Sequence, residues 1–206
     1  YGAGVDIEEI KKPRNRLELN IKVDEGTSAT IESINIIGNE LFSNEDLLDG
    51  FELSSGSIFS FLSNDNAYSR EKLQGDIESL ESFYLNRGYL KFSIESSEIS
   101  LSKDKKSIFI NFNIFEGEQY TINDVDVVGD LPFGDEVYEE ITNTLKGQIY
   151  SQVQITGIEE FFTNVLGNQG YAFAEVSGNP VVDDDSQDVK ITFSVMPGKR
   201  TYTRKI

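Results

Sequence analysis

Cysteine and histidine are both absent from this 206-residue chain, which also has no tryptophan and a single methionine. Without cysteine, a disulfide-stapled extracellular module and a thiolate metal site are excluded, whereas the cytosol and the bacterial periplasm both stay open. Without histidine, the commonest general base near neutral pH is missing. Serine–lysine and paired-carboxylate catalysis need neither residue, but no local motif supports them. The sequence therefore predicts a protein that is not an enzyme and uses no cofactor, with a small acidic hydrolase as a rival interpretation.

Positive charge is scarce as well. The chain has 18 lysines and arginines against 36 aspartates and glutamates, which gives a formal net charge of −18. No excess of positive charge is available to neutralise phosphates, so we expect neither nucleic-acid binding nor electrostatic attachment to anionic lipid. The acidic surface is either simply solvated or attracts a basic partner.

Long apolar runs are also missing. No window approaches the 18 apolar residues of a membrane-spanning helix, and no signal peptide opens the chain. The first residue falls in the middle of a repeat, so we expect a fragment that lacks targeting and membrane segments.

The densest acidic cluster could in principle bind calcium. It comprises Asp183, Asp184, Asp185 and Asp188. Alternating oxygen ligands suit calcium, but the segment lacks the glycine and the distal bidentate glutamate of an EF-hand. We favour a solvated hairpin turn and predict no metal site.

An internal repeat is the main feature that the sequence does contain. Three strongly alternating segments place apolar side chains on one face, which predicts strands of sheets that are covered on one side. Each segment follows a turn-rich stretch and an earlier strand, so each closes an antiparallel hairpin. The spacing of the hairpins gives a repeat of about 80 to 90 residues, as in tandem arrays of small modules. The apolar rows are Leu17, Leu19, Ile21, Val23; Ile108, Ile110, Phe112, Ile114; and Val189, Ile191, Phe193, Val195.

Two helices are predicted before the second and the third hairpin. In the first complete module Ser43 is a good helix N-cap, and a longer helix covers about 69–86 with an apolar stripe. In the second module the apolar spacing predicts helices around 137–145 and 158–166. With a short strand before each helix pair, the order is strand, helix, helix, strand, strand. The fold class is therefore α+β, with two helices packed on one face of a three-stranded mixed sheet.

Four glycines occupy equivalent places in the two modules. Gly38 and Gly129 end the opening strands, and Gly88 and Gly170 follow the second helices. A left-handed helix C-cap favours glycine, so we interpret Gly88 and Gly170 as structural rather than functional residues.

This order of elements and a set of short phrases resemble POTRA domains, and over nearly the whole chain the likeness is to the POTRA array of the BamA family of outer-membrane assembly proteins. The pattern departs from the family at Asp130, where asparagine is usual, and at Met196-Pro197-Gly198, where Glu-Gly is usual. The C-terminal barrel of the family is absent from the sequence. The matching phrases are Pro13-Arg14-Asn15-Arg16, Ile34-Asn35-Ile36-Ile37-Gly38-Asn39, Lys72-Leu73-Gln74-Gly75-Asp76, Tyr84-Leu85-Asn86-Arg87-Gly88-Tyr89, Asp104-Lys105-Lys106 and Arg204-Lys205-Ile206.

The resemblance implies four segments. Residues 1–27 are similar to the closing hairpin of the second POTRA domain, 28–118 to the third domain, 119–199 to the fourth, and 200–206 to the first strand of the fifth. It further implies a non-enzymatic scaffold on the periplasmic side of the bacterial outer membrane. Such a scaffold binds accessory lipoproteins and nascent outer-membrane proteins, and it reaches the membrane only through the absent barrel. POTRA arrays of two-partner secretion or import pores, and a passive spacer, are the alternatives.

One strand of the first complete module changes phase. Apolar residues fall on even positions up to Ile94 and on odd positions at Ile99 and Leu101, with the slip near Ser96-Ser97. A β-bulge would return Ile99 and Leu101 to the core, which the residues alone favour. Otherwise the two form an exposed apolar pair on an edge strand, where a partner docks.

The resemblance favours the second interpretation, in which Ile99 and Leu101 form a docking site for a partner. It implies that this segment contacts the β-propeller lipoprotein of the assembly complex through the positions of Glu95, Ile99 and Leu101, with Ser93 at the start of the same segment. Glu95 departs from the aspartate usual in the family but keeps the charge. The same edge would also accept an extra strand by β-augmentation, in which main-chain bonds give affinity with little sequence demand.

Overall fold

A computed structural model describes residues 4–13, 16–24, 29–53, 68–129 and 135–201. The contacts divide the chain into two compact units. The first comprises Tyr1–Ile37, Ser43–Ile77 and Ile94–Asn113, and the second comprises Gly38–Phe42, Glu78–Ser93 and Ile114–Ile206.

The chain begins with a two-stranded antiparallel hairpin of β1 (Gly4–Lys12) and β2 (Arg16–Asp24), as the alternating pattern predicts. Its odd-numbered apolar row is exposed: Leu17, Leu19, Ile21 and Val23 retain 52% to 61% of their accessible surface. The same row is buried in the two later hairpins, so alternation alone identifies a strand but not what covers it.

The first complete module has the predicted order of elements. It comprises β3 (Thr30–Ile37), α1 (Asn44–Leu48), α2 (Arg70–Leu85), β4 (Ser93–Leu101) and β5 (Ser107–Phe115). The sheet order is β3-β5-β4, and β3 runs parallel to β5. The strand that is last in sequence therefore lies in the middle of the sheet. A parallel neighbour needs a crossover, and the two helices supply it.

Local signals set the helix boundaries in this module. Ser43 caps α1 in a capping box with Asp46, as predicted, with the serine Oγ accepting the backbone N–H of Asp46. The predicted stripe of α2 is confirmed at Leu73, Leu80 and Tyr84, all buried.

Asp76 is the exception on α2, because it is a buried carboxylate that periodicity did not single out. Its oxygens accept the backbone N–H groups of Glu52 and Leu53, at 2.6 and 3.0 Å. Desolvation raises the pKa of Asp76, and these two hydrogen bonds oppose the rise. The side chain thereby ties the segment after α1 to the long helix.

The second complete module repeats the arrangement. It comprises β6 (Thr121–Gly129), α3 (Asp135–Leu145), α4 (Gln152–Asn168), β7 (Glu175–Asp183) and β8 (Asp188–Met196). The sheet order is β6-β8-β7, with β6 parallel and β7 antiparallel to β8. The α+β prediction, with helices on one face of a three-stranded mixed sheet, is confirmed in both modules.

The middle strands supply the cores. The predicted apolar rows of β5 and β8 are buried throughout, with exposures of 0% to 7%. In the second module this row packs with residues of α3 and α4, such as Leu145 and Ile155. Each fully buried large apolar side chain stabilises the fold by about 1.5–3 kcal/mol, so these rows dominate the stability.

Gly38 and Gly129 end β3 and β6 as predicted, and the reason is close approach to the middle strand. Their φ angles are +98° and +118°. A Cβ at Gly38 would lie 2.3 Å from the carbonyl oxygen of Ile114, and one at Gly129 would lie 2.1 Å from that of Val195. Backbone cannot yield as a side chain can, so only glycine fits at both positions.

Gly88 and Gly170 adopt the left-handed conformation expected after α2 and α4, with φ of +90° and +96°. Each also accepts a hydrogen bond from further along the chain. The carbonyl of Gly88 accepts the N–H of Tyr120 at 2.9 Å, and that of Gly170 accepts the N–H of Thr201 at 2.7 Å. The glycines therefore both end a helix and receive the segment that follows each closing hairpin.

We expect the alanine variants of three glycines to rank in a set order. Gly129→Ala should cost more than about 2 kcal/mol, because its Cβ meets a carbonyl. Gly88→Ala should cost about 1 kcal/mol or more from its positive φ. Gly75→Ala, in α2 with nothing within 4 Å of the new Cβ, should stabilise by about 0.5–1 kcal/mol. Urea unfolding measures all three, and a neutral Gly129→Ala would contradict the close approach.

Candidate functional site

The candidate site is β4, which forms one edge of the first three-stranded sheet. Within the described ranges it pairs on one side only, with β5, so the N–H and C=O groups of its other side have no strand to bond. Its nine residues, Ser-Ile-Glu-Ser-Ser-Glu-Ile-Ser-Leu, contain no proline, glycine or lysine. Proline and lysine are two of the devices that usually protect an edge strand from pairing.

The structure brings all four predicted contact residues onto β4. Ser93, Glu95, Ile99 and Leu101 are all exposed, and the two apolar side chains retain 45% and 42% of their surface. The two carboxylates of the strand, Glu95 and Glu98, are exposed beside them. The strand therefore offers polar, acidic and apolar side chains on an unpaired edge.

Exposure decides between the two interpretations of the phase slip. Return of Ile99 and Leu101 to the core, which the residues alone favoured, is wrong, and the exposed apolar pair is what the structure shows. The early apolar residues Phe92 and Ile94 are half-buried, whereas every residue from 97 to 101 is exposed. An edge strand has a neighbour on one side only, so its far end can leave the core while it stays paired with β5.

At the slip itself a side-chain hydrogen bond joins β4 to the middle strand. The amide of Asn113 donates to Oγ of Ser96 at 2.6 Å. A serine thus stands where the regular alternation would place an apolar residue, and its hydroxyl is satisfied locally.

Aromatic packing fixes the beginning of β4. The ring of Phe92 stacks on that of Tyr84, with centroids 4.1 Å apart and planes within 7°. Phe42 in turn meets Phe83, Tyr84 and Tyr89 edge to face. Such pairs add about 0.5–1.5 kcal/mol each beyond area burial, so this end of the strand is anchored.

Glu116 is a second anchor, which holds the same Tyr84 and the loop after β3, and no local sequence pattern singles it out. Its side chain is buried, with 6% exposure. It accepts the hydroxyl of Tyr84 at 2.7 Å and the backbone N–H groups of Glu40 and Leu41 at 2.9 and 3.1 Å. Burial, then the hydrogen bond and charge of Glu116, raise the pKa of Tyr84, so the tyrosine stays a donor. The second module has Met196-Pro197-Gly198 at this place, so it lacks the anchor.

The edge strand β7 of the second sheet is less available for pairing with an added strand than β4 is. The N–H of Gly178 on β7 donates to Oε1 of Glu159 on α4 at 2.5 Å, so it points away from β8. Pro180 lies two residues further, faces the same way and has no N–H. Two adjacent outward donors of β7 are therefore unavailable to an added strand. The remaining edge strands, β3 and β6, each carry a register shift in their pairing.

The acidic cluster of the β7–β8 turn is held by other side chains. Asp184 accepts Nζ of Lys91 at 2.5 Å and the hydroxyl of Tyr120 at 2.6 Å. These two bonds lower the pKa of Asp184, and the same bonds raise the pKa of Lys91 and of Tyr120. The turn is exposed to solvent, as predicted, and Asp184 is in addition paired with Lys91 and Tyr120. Among the described residues, no group of three or more acidic, histidine or cysteine side chains could hold a metal ion.

A search of the described helices for long apolar stretches finds none able to cross a membrane. Two repeated modules, each with helices on one face of a small sheet, define a tandem array of small α+β domains. The POTRA family model, described as surface antigen variable number repeat, matches residues 29–117 and 120–198. The chain belongs to the POTRA family.

Named relatives support this assignment. The outer membrane protein assembly factor BamA of Neisseria meningitidis serogroup B is 30% identical over 197 residues, which cover 95% of this chain and 25% of that protein. BamA of Buchnera aphidicola is 28% identical over 202 residues, covering 98% of this chain and 33% of that protein. The chain thus spans a quarter to a third of the length of these relatives.

Solved structures agree with the fold. The crystal structure of Haemophilus influenzae BamA POTRA3-5 superposes with a TM-score of 0.71 at 25% identity, covering 84% of this chain and 68% of that one. BamA from Haemophilus ducreyi lacking POTRA domains 1–3 superposes at 0.58 with 12% identity, over 82% of this chain and 29% of that one, which shows the fold alone. The resemblance to the POTRA array of BamA is therefore confirmed.

We expect Glu116→Ala to destabilise the protein by about 2–4 kcal/mol, because it leaves a buried hydroxyl and two backbone N–H groups without an acceptor. Tyr84→Phe removes one of these bonds and should cost about 1 kcal/mol. Glu118→Ala, at an exposed position nearby, should stay within about 0.5 kcal/mol of wild type. Urea unfolding gives the three values, and equal effects of Glu116→Ala and Glu118→Ala would show that Glu116 anchors nothing.

Proposed function

We propose that this chain is part of a non-enzymatic scaffold in outer-membrane protein assembly, located on the periplasmic side of the bacterial outer membrane. The relatives' name, outer membrane protein assembly factor BamA, supports the process. The absence of cysteine and histidine from the sequence agrees with binding rather than bond-making. The observation that carries the proposal is the open edge strand β4 with its exposed apolar pair.

The four segments take their proposed places in the array from the same likeness. On this proposal residues 1–27 belong to the closing hairpin of a second POTRA domain, 28–118 to the third domain, 119–199 to the fourth, and 200–206 to the start of a fifth, of which 202–206 lie outside the described residues. The match to a structure of POTRA domains three to five supports this numbering.

The first proposed partner is an accessory lipoprotein with a β-propeller fold, bound at β4. Ile99 and Leu101 supply the apolar contact, and Ser93 and Glu95 supply polar contacts along the same strand. Exposed apolar side chains beside a charged one are typical of the core and rim of a docking surface. Nothing in the core requires these four side chains to be as they are, because all four are exposed.

The second proposed partner is an unfolded outer-membrane protein, which adds a strand to β4 by β-augmentation. Main-chain hydrogen bonds provide affinity without demanding a particular sequence, which suits a receptor for many substrates. The contrast between the two modules supports β4 as the edge used. On β7, Glu159 occupies one outward donor and Pro180 removes the next, whereas every residue of β4 keeps its N–H.

The lipoprotein contact predicts that Ile99→Asp weakens binding of the β-propeller lipoprotein from the same bacterium at least about tenfold, because a charge replaces an apolar contact. The control is Val181→Asp, an exposed apolar residue (64%) on the edge strand of the other sheet, which should bind as wild type. Isothermal titration calorimetry gives the affinities, and circular dichroism checks the fold. Wild-type affinity in Ile99→Asp would remove the site, and no binding by the wild-type chain would favour a passive spacer.

β-Augmentation predicts that two neighbouring proline variants, Ser97→Pro and Glu98→Pro, differ in stability and in peptide binding. Successive N–H groups of a strand point to opposite sides, so one proline removes a bond to β5 and the other removes an outward donor. The variant that keeps the wild-type melting temperature should lose binding of an unfolded outer-membrane protein peptide, measured by fluorescence anisotropy. Full peptide binding by that stable variant would contradict augmentation at β4.

A further inference from the structure

The second compact unit has an apolar groove between α3 and α4 that the proposed function does not use. Two depressions, with volumes of about 360 and 410 Å³, share Thr144, Leu145 and Ile158 in their linings and so form one continuous groove. On α4 the lining runs from Gln154 to Phe161, a span of eight residues or about 10 Å of helix.

The exposed ring of Phe161 distinguishes this groove from an ordinary surface depression. Phe161 and Phe162 are neighbours on α4 but differ in exposure. Phe162 is fully buried in the core, whereas Phe161 lines the groove and keeps 49% of its surface exposed. Packing of α4 on its sheet therefore leaves Phe161 unexplained, and an exposed aromatic beside Ile141 and Ile158 offers an apolar contact.

Gly157 keeps the middle of the groove open. It lies inside α4, where glycine costs about 0.5–1 kcal/mol relative to alanine. A Cβ at this position would meet nothing within 4 Å, so no neighbour requires glycine here. A larger side chain at 157 would instead project into the groove that Gly157 lines.

The borders of the groove are acidic. Neither α3 nor α4 contains a lysine or an arginine. Glu140 lines one depression, and Glu139 and Glu160 are exposed on the same two helices. With a chain charge of −18, this arrangement complements a cationic partner and opposes an anionic one.

We propose that this groove binds an amphipathic, cationic helix, with its apolar face against Phe161, Ile158 and Ile141 and its lysines or arginines beside Glu140 and Glu160. Side chains of two helices line the groove, and the backbone groups inside those helices are bonded internally. An extended segment would find no partners for its own N–H and C=O groups there, whereas a helix satisfies its own. A length of about 10 Å accommodates anchors at positions i, i+3 or i+4 and i+7.

Two substitutions on the same helix test the proposal. Gly157→Phe adds a large side chain to the lining of the groove, and Gly167→Phe adds the same side chain outside the described lining; at both positions the new Cβ meets nothing within 4 Å. Both remove a helix glycine and leave the charge unchanged. The probe is an 18-residue peptide with a leucine face and lysines elsewhere, and fluorescence anisotropy in 150 mM salt measures its binding to the whole chain.

We expect the leucine–lysine peptide to bind wild type and Gly167→Phe equally, and to bind Gly157→Phe at least about tenfold more weakly. Peptides with glutamates in place of lysines, or with the same composition scrambled to remove the apolar face, should not bind. Unchanged affinity in Gly157→Phe, or equal binding of the scrambled peptide, would overturn the proposal in favour of diffuse charge attraction. Ile99→Asp should bind the peptide as wild type does, which separates this groove from the β4 site.

Discussion

Burial of the middle strand determines the rest of each module. β5 and β8 pair with a strand on both sides, and their even- or odd-numbered apolar rows are buried. Because the middle strand is parallel to the opening strand, the chain must cross over the sheet, and the helices that make the crossover also cover the core. The glycines at 38 and 129 permit the opening strand to approach a carbonyl of that same middle strand.

A three-stranded sheet with a buried centre has two edges, and the modules treat theirs differently. In the second module, a glutamate of the covering helix reaches the outermost strand and a proline follows, so outward donors are lost. In the first module the corresponding strand keeps its donors and leaves Ile99 and Leu101 exposed. Repetition of a fold therefore does not repeat its binding surface, since the exposed edge depends on a few side chains that do not repeat.

The second module presents a different surface. Its open groove lies between α3 and α4, where Phe161 is half exposed, Gly157 lines the surface and neither helix contains a lysine or an arginine. In the first module a glutamate has a structural role instead: Glu116 is buried and accepts hydrogen bonds from the loop that follows β3 and from Tyr84. Tandem domains of one fold thus expose different surfaces, an edge strand in one and a helix groove in the other.

The sequence by itself determined the elements, because their signals are local: period-two rows in β2, β5 and β8, the capping box at Ser43, and the glycines that end strands and helices. It also placed Ser93, Glu95, Ile99 and Leu101 on one strand, although their proposed role came from a family resemblance. Only the tertiary structure decided what covers each strand. The same alternating row is exposed in β2 and buried in β5, and Ile99 and Leu101 are exposed where the residues alone favoured burial. Glu116, Asp76 and Glu159 likewise carry no local signal, because their partners lie 19 to 76 residues away in sequence. Periodicity describes which way neighbouring side chains point, whereas burial depends on what the rest of the chain brings against them.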